Sequence, residues 1–151
     1  MERRINEEGV TKCLLELLEK KGWVVVSYDY PQSGTGTVIH PNNRETKNKG
    51  SFIPDIVAYK GGCVLFFENK DRFVYNDFLK VELLRTTDDY SNDICALLSQ
   101  FVYDTVLYGV GMPYSAKNEK KTKEFIRMVD FAILLVEKDQ VIQVQDCAIE
   151  L

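Results

Sequence analysis

Apolar residues recur at helical spacing near the start of the chain. Val10, Leu14 and Leu18 are spaced four residues apart, so they lie on one side of a helix. Gly22 stands where such a helix would end. The pattern therefore predicts an amphipathic helix over residues 4–21, with its apolar side turned toward the rest of the fold.

Three segments rich in β-branched and aromatic residues predict strands. These segments are residues 23–30, 52–59 and 63–70. Gly61 and Gly62 separate the last two segments and are typical of a hairpin turn. Residues 31–51 are rich in glycine, proline and asparagine, which indicates a long loop with room for a short hairpin around residues 37–39.

The second half of the chain predicts helices followed by a buried strand. Ser91 is a suitable N-cap, and the apolar residues after it recur at helical spacing, which favours a helix over residues 91–108. We expect Gly109, Gly111 and Pro113 to break the chain after that helix.

Further elements are predicted on either side of this helix. Helical segments are expected over residues 75–85 and 119–129, and the continuous apolar run 131–136 is typical of a central strand. Residues 141–144 would pair with that strand or with an edge. The resulting order predicts an α/β fold with a mixed central sheet flanked by helices.

Composition supports one ordered domain spanning residues 1–151, either alone or as the catalytic domain of a longer protein. Hydrophobic residues make up 45% and charged residues 28% of the chain, which excludes a disordered protein. No apolar run has the length of a membrane span, and the first residues lack the apolar core of a signal peptide. We therefore expect a cytoplasmic protein that does not bind membranes.

Charge and metal-binding residues narrow the function classes. The net charge of −4 excludes a strongly basic nucleic-acid coat, although it allows a local basic patch. The single histidine, His40, excludes a multi-histidine metal site, and the cysteines are too far apart for a CxxC pair.

Three charged residues predict a site at one end of the second and third strands. Glu68 and Lys70 are two positions apart on a strand, so they project from one face. The tight turn pairs this strand with the one that begins near Asp55. Two neighbouring carboxylates repel unless a cation or proton lies between them. Mg²⁺ binds through one or two carboxylates plus water and phosphate, which predicts phosphodiester hydrolysis.

The segments Pro54-Asp55 and Glu68-Asn69-Lys70 together resemble the motif of the PD-(D/E)xK nuclease superfamily. That superfamily includes restriction endonucleases and archaeal Holliday-junction resolvases. The resemblance implies an αβββαβ core, with Asp55 and Glu68 as metal ligands and Lys70 as the catalytic lysine. The middle motif position is often apolar in the family, whereas here it is Asn69, whose side chain should point away from the site.

The family often takes one more acidic residue from its first helix. Glu7 and Glu8 are the candidates here. Glu7 is preferred as the catalytic acid because it has the helical phase of Leu14 and Leu18. Glu8 lies nearer the edge of that face.

Contacts to nucleic acid are predicted in the long loop. Ser33 resembles a loop serine of the resolvases, and Arg44, Lys47 and Lys49 make the loop locally basic beside His40. A solvated loop is the alternative interpretation. A second basic cluster lies within residues 117–127, where the alternative is a solvated helix face.

The sequence thus predicts a metal-dependent DNA endonuclease that uses Mg²⁺, for which Mn²⁺ can substitute. The alternative is a catalytically silent module of the same fold that binds nucleic acid or a partner protein, and a third option is an RNA or nucleotide phosphodiesterase. These three residues could also have a purely structural role. Asp55 would then cap a turn beside its strand, and Glu68 and Lys70 would form a solvated ion pair at the sheet edge. Because 151 residues leave little room for a recognition domain, we expect a homodimer or an additional domain or subunit.

Overall fold

The computed structural model describes residues 5–42, 50–137, 140–143 and 151. Within those ranges the strands are β1 (Val24–Tyr28), β2 (Ile56–Lys60), β3 (Cys63–Asn69), β4 (Thr105–Pro113), β5 (Phe131–Glu137) and β6 (Gln140–Gln143). The helices of those ranges are α1 (Glu7–Lys20), α2 (Tyr75–Thr86), α3 (Ser91–Leu97) and α4 (Ala116–Glu124), followed by a 3-10 turn over Ile126–Met128.

All six described strands form one sheet in which spatial order follows chain order. The β1–β2, β2–β3 and β5–β6 pairs are antiparallel. The β3–β4 and β4–β5 pairs are parallel, with helices in the connections between them. The sheet is therefore mixed, as the sequence predicted.

Helix α1 covers one face of the sheet. Asn6 caps it by accepting a hydrogen bond from the Gly9 amide at 2.8 Å. The apolar stripe Val10, Leu14 and Leu18 is fully buried, which confirms the helix predicted from its periodicity. It packs on the sheet residues Ile56, Ala58, Leu65, Phe67, Phe131, Ile133 and Leu135.

The opposite face carries α2 and α3. Phe78 and Val81 of α2 pack on Val110 and Met112 of β4 and on neighbouring residues of β5. Leu98, just after α3, packs on a separate cluster from β2 and β3. Helices thus flank the sheet on both faces, which confirms the α/β class.

The helix predicted over residues 91–108 is wrong beyond its first two turns. It ends at Leu97, and residues from Thr105 onward form β4. Val102, an apolar residue within the predicted helix, is 87% exposed. Backbone pairing of β4 with both β3 and β5 outweighs the local helical pattern.

The expected chain break at Gly109, Gly111 and Pro113 is also wrong, because all three residues belong to β4. A Cβ atom added at Gly111 would lie 2.5 Å from Asn69 Oδ1 and 2.6 Å from Leu14 Cδ1. Glycine is therefore required by close packing against α1 and β3 rather than by a turn.

Several element boundaries differ from the sequence pattern. The second predicted strand begins at Ile56, and Phe52 instead forms an isolated antiparallel bridge with Ile39, in place of a hairpin around residues 37–39. The helix expected over residues 119–129 begins earlier, at Ala116, and gives way to the 3-10 turn.

The remaining predicted elements are found. Residues 75–85 form α2, residues 131–136 lie in the central strand β5, and β6 pairs with β5. Across the described ranges, none of the helices combines the length and hydrophobicity needed to cross a bilayer.

Candidate active site

The open end of the β2–β3 hairpin brings Asp55 and Glu68 together. Ile56 pairs with Phe67, so Asp55, one residue earlier, lies beside Glu68. The Asp55 amide donates to the Phe67 carbonyl at 3.1 Å. Asp55 Oδ2 accepts a hydrogen bond from the backbone amide of Asn69 at 2.7 Å, which holds the carboxylate against the end of β3.

Partial burial makes this pair of carboxylates costly to ionise. Burial raises the pKa of Asp55 to about 8, and neighbouring Glu68 and Glu7 add to the rise against the hydrogen bond from Asn69. Burial also raises the pKa of Glu68, against the opposing effect of Lys80. A cation bound between the two carboxylates would remove this cost.

Lys70 lies directly after β3, where its amide donates to the Gly111 carbonyl at 3.0 Å. Its Nζ atom is 3.6 Å from Glu7 Oε2. Glu8, the other candidate acid of α1, instead pairs with Lys12 of its own helix at 3.9 Å. The structure therefore places Glu7, rather than Glu8, at the motif lysine.

The charge state of Lys70 follows from its acidic neighbours. Burial lowers the pKa of Lys70, but Asp77, Glu7 and Glu68 together outweigh burial and leave that pKa above its usual value. The side chain is therefore protonated at neutral pH. It can act as a fixed positive charge and hydrogen-bond donor, but not as a base.

Helix α2 contributes two site residues that the sequence analysis missed. Lys80 Nζ lies 3.3 Å from Glu68 Oε1. Asp77, three residues earlier on the same helix face, has a buried Oδ2 atom without a hydrogen-bond partner among the described residues. Burial raises the pKa of Asp77, against the effects of Lys70 and Lys80.

The sequence holds part of the signal for these two residues. An acid and a lysine at i, i+3 spacing share one face of the helix that directly follows the motif strand, but the spacing alone does not show that this face meets the strand. A small pocket lies at this junction, with charged lining residues Glu68, Lys70, Arg72 and Asp77.

Asn69, between the motif acid and lysine, points to the other face of the sheet, as the alternation along a strand predicts. Its side chain is fully buried and its Nδ2 donates to Thr11 Oγ1 of α1 at 3.0 Å. The Asn69 side chain thus joins β3 to α1, while its backbone amide donates to the Asp55 carboxylate.

The predicted nucleic-acid contacts have different outcomes. Ser33 lies in the loop after β1, where its hydroxyl donates to Asp29 Oδ1 at 3.4 Å and accepts from the Tyr30 amide at 3.2 Å. The Asp29 amide donates to the Asp55 carbonyl at 2.9 Å, so this loop begins beside the site. The other three predicted contacts lie outside the described residues: Arg44, Lys47 and Lys49.

The remaining basic features of the chain are partly neutralised. His40 Nδ1 is 2.9 Å from Asp93 Oδ2 of α3. In the cluster of residues 117–127, Lys121 pairs with Glu124 at 3.6 Å, and Lys123 pairs with Glu119 at 3.7 Å. These pairs leave less free positive charge than the sequence suggested.

The donor set can be tested for its fit to a divalent ion. Among the described residues, no group of three or more histidine, cysteine, aspartate or glutamate side chains is arranged to hold a metal ion. Asp55 and Glu68 form a pair of oxygen donors, however, and Mg²⁺ commonly uses one or two carboxylates with water and substrate completing its shell. The repulsion between these two half-buried carboxylates is consistent with a cation between them. The buried Asp77 Oδ2 atom, which has no hydrogen-bond partner among the described residues, also fits such an ion.

Comparison with protein-family models, with curated proteins and with solved structures gives no match to this chain. The site is therefore interpreted from its own geometry and chemistry.

Proposed function

We propose that this protein is a Mg²⁺-dependent endodeoxyribonuclease of the PD-(D/E)xK type. The observation that carries the proposal is the pairing of Asp55 with Glu68 at the open end of the hairpin. The positive charge of Lys70 acts on Glu68 of this pair. Packing and backbone pairing do not require two half-buried carboxylates side by side. A site for a divalent cation accounts for them, because such an ion binds through one or two carboxylates.

Asp55 and Glu68 would hold the ion through their carboxylate oxygens, and the Asn69 amide fixes the orientation of Asp55. The bound ion would polarise a phosphoryl oxygen and lower the pKa of a bound water. Lys70 would donate a hydrogen bond to that water or to the phosphate and offset negative charge in the transition state. Glu7 would position the Lys70 ammonium through their ion pair.

The arrangement of elements supports the same proposal. Helix α1, strands β1 to β3, helices α2 and α3 and strand β4 follow one another, which is the order of the αβββαβ core with one additional short helix, α3. The carboxylates stand at the start of β2 and the end of β3, where the motif of that superfamily lies. The restriction-endonuclease-like core remains part of the proposal.

DNA is the proposed substrate, and a second copy or a further domain would supply the rest of the binding surface. A chain with net charge −4 has to meet a polyanion through local basic groups and the bound metal ion. Cutting both strands requires two active sites, which favours a homodimer. A cytoplasmic location accompanies this proposal.

The test is incubation of the purified protein with supercoiled, linear, single-stranded and branched DNA and, separately, with RNA, in Mg²⁺, Mn²⁺ or EDTA. We expect cleavage with either metal and none in EDTA. Glu68→Gln should abolish it, whereas the matched control Glu137→Gln, at the exposed end of β5, should not. DNA binding without cleavage under any of these conditions would favour the silent module, and cleavage of RNA alone would favour the third option.

A further inference from the structure

Lys80 is held at the carboxylate pair by contacts on two sides. Its Nζ atom lies 3.3 Å from Glu68 Oε1 and 5.4 Å from the centre of the Phe52 ring, which is buried. The neighbouring α2 residues Phe78 and Val81 are buried against the sheet and fix the helix in place. The ammonium therefore reaches Glu68 from a helix that packing fixes in place, and 38% of the Lys80 side chain remains exposed.

The charge of Lys80 acts on three carboxylates at once. Its positive charge opposes the rise in the pKa of Glu68, of Asp55 and of Asp77. Lys70 also acts on Glu68 and Asp77, but its nearest carboxylate oxygen belongs to Glu7. Lys80 is thus the ammonium that the structure pairs directly with a motif carboxylate.

A divalent ion bound through Glu68 Oε1 would need the oxygen atom that already accepts from Lys80. Glu68 Oε1 accepts the hydrogen bond from Lys80, so a metal ion bound through that atom competes with the ammonium. Two positive charges within a few ångströms of each other also repel strongly in a half-buried site. Occupation by both at the observed Lys80 position is unfavourable.

We infer that Lys80 is the resident counter-cation of the carboxylate pair, and that a divalent ion has to displace its ammonium from Glu68. This inference rests on the proposed function, because it assumes a metal site at Asp55 and Glu68. Once displaced, the ammonium remains on α2 beside the site and is free to contact an anionic oxygen of a bound phosphodiester. Lys80 is therefore a positioning residue that holds the Glu68 carboxylate beside Asp55 before metal and substrate arrive.

The test is Mn²⁺ binding, measured by calorimetry on the full chain without DNA. Lys80→Met keeps the apolar stem on Phe52 and removes the charge, so Mn²⁺ should bind more tightly, on the order of tenfold, once the competing charge is gone. The matched control is Lys60→Met at the turn end of β2, because Lys60 also lies over an aromatic ring, 5.9 Å from the centre of Trp23. Its Mn²⁺ affinity should equal that of the wild type.

Unchanged or weaker Mn²⁺ binding by Lys80→Met would overturn the inference and leave the proposed nuclease function standing. Mn²⁺ binding by neither the wild type nor the variant would overturn both. If Lys80→Met fails to fold, Lys80→Gln replaces it, since its amide can still donate a hydrogen bond to Glu68 without a charge.

Thermal unfolding in EDTA supplies a second readout. Lys80→Met should lower the melting temperature because it leaves Glu68 half-buried without its cation. The double variant Glu68→Gln/Lys80→Met should recover part of that loss. Strictly additive shifts would mean that the two side chains do not interact, which would contradict the role of Lys80 as a counter-cation.

Discussion

The two ends of the β2–β3 hairpin have similar side chains, a lysine and an acid, but these side chains are exposed at the turn end and largely buried or paired at the open end. At the turn end, Lys60 Nζ donates to the Lys21 carbonyl at 2.7 Å and lies over the Trp23 ring, exposed to solvent. At the open end, Lys80 lies over the Phe52 ring and faces Glu68, which is only 15% exposed. Both ends have a lysine over an aromatic ring, but only the lysine at the open end forms an ion pair with a largely buried carboxylate, that of Glu68.

The acids differ between the two ends in the same way. Asp104, at the turn end, is exposed and accepts a hydrogen bond from Thr105 Oγ1 at 3.0 Å. Asp55, at the open end, is packed beside a second carboxylate, and burial with the neighbouring charge raises its pKa to about 8. The charged groups at the turn end are solvated or hydrogen-bonded, so they do not oppose folding. The two neighbouring carboxylates at the open end are costly to bury in ionised form, so they destabilise the folded state. Such an arrangement is typical of a functional site.

The largest expected effect is on cleavage. Lys70→Ala should reduce the cleavage rate by about 10²–10³-fold, because it removes a fixed positive charge from the transition state. Single-turnover cleavage of a labelled duplex measures this. The turn-end control Lys60→Ala should cleave like the wild type. An unchanged rate in Lys70→Ala would remove the catalytic role, and loss of its circular dichroism spectrum would make Lys70 a structural residue.

The next effect concerns stability and its dependence on pH. In the folded protein the pKa of Asp55 rises from 3.8 to about 8, so the folded state binds the proton more tightly than the unfolded chain. The stability contributed by that proton is complete below about pH 4 and is lost as pH rises toward 8. Asp55→Asn does not ionise, and its side-chain oxygen can still accept from the Asn69 amide.

We therefore expect Asp55→Asn to be more stable than the wild type by about 1–3 kcal/mol at pH 8 in EDTA. The difference should shrink toward pH 4. Urea denaturation across this pH range measures it, with Asp104→Asn as the turn-end control that shows no such gain. A variant that is less stable at pH 8 would show that Asp55 is not the destabilising group.

A smaller effect separates the two acids of α1. Glu7→Gln should slow cleavage about tenfold, equivalent to about 1.4 kcal/mol, because it releases the ammonium of Lys70. Glu8→Gln, whose partner is the surface residue Lys12, should change the rate less than twofold. A larger loss in Glu8→Gln would reverse the assignment of the helix acid.

The smallest effect belongs to the turn end. Lys60→Met removes one hydrogen bond and one contact over an aromatic ring, so the free energy of unfolding should fall by about 0.5–1 kcal/mol. Cleavage and Mn²⁺ affinity should not change. A loss of cleavage here would mean that the two ends of the hairpin are coupled, and the comparison between them would fail.

The sequence predicted the parts of the fold in which local pattern and packing agree. Helix α1 has a clean apolar stripe, the glycine pair turns the chain between β2 and β3, and β5 is a continuous apolar run. Strand β4 was missed because Gly109, Gly111 and Pro113 are typical of a chain break. The two glycines are instead required by close packing on Phe131, Leu14 and Asn69, which are far away in the sequence.

The candidate site divides in the same way. Asp55, Glu68 and Lys70 were found because a hairpin with a short turn determines which residues meet. Asp77 and Lys80 were missed because their place depends on how α2 docks against the sheet, through Phe78 and Val81. Periodicity predicts a helix and its faces, but not which face meets a given strand end.

The most direct test of the account is the position of Mn²⁺ in crystals of the protein, located by anomalous scattering. The account predicts one ion between Asp55 and Glu68, at about 2.0–2.6 Å from an oxygen of each, with waters completing its shell. The Lys80 ammonium should have moved away from Glu68 Oε1, to which it donates a hydrogen bond at 3.3 Å in the structure described here. Crystals grown in excess Mn²⁺ with no ion at these two carboxylates, and with Lys80 still bonded to Glu68, would contradict the account.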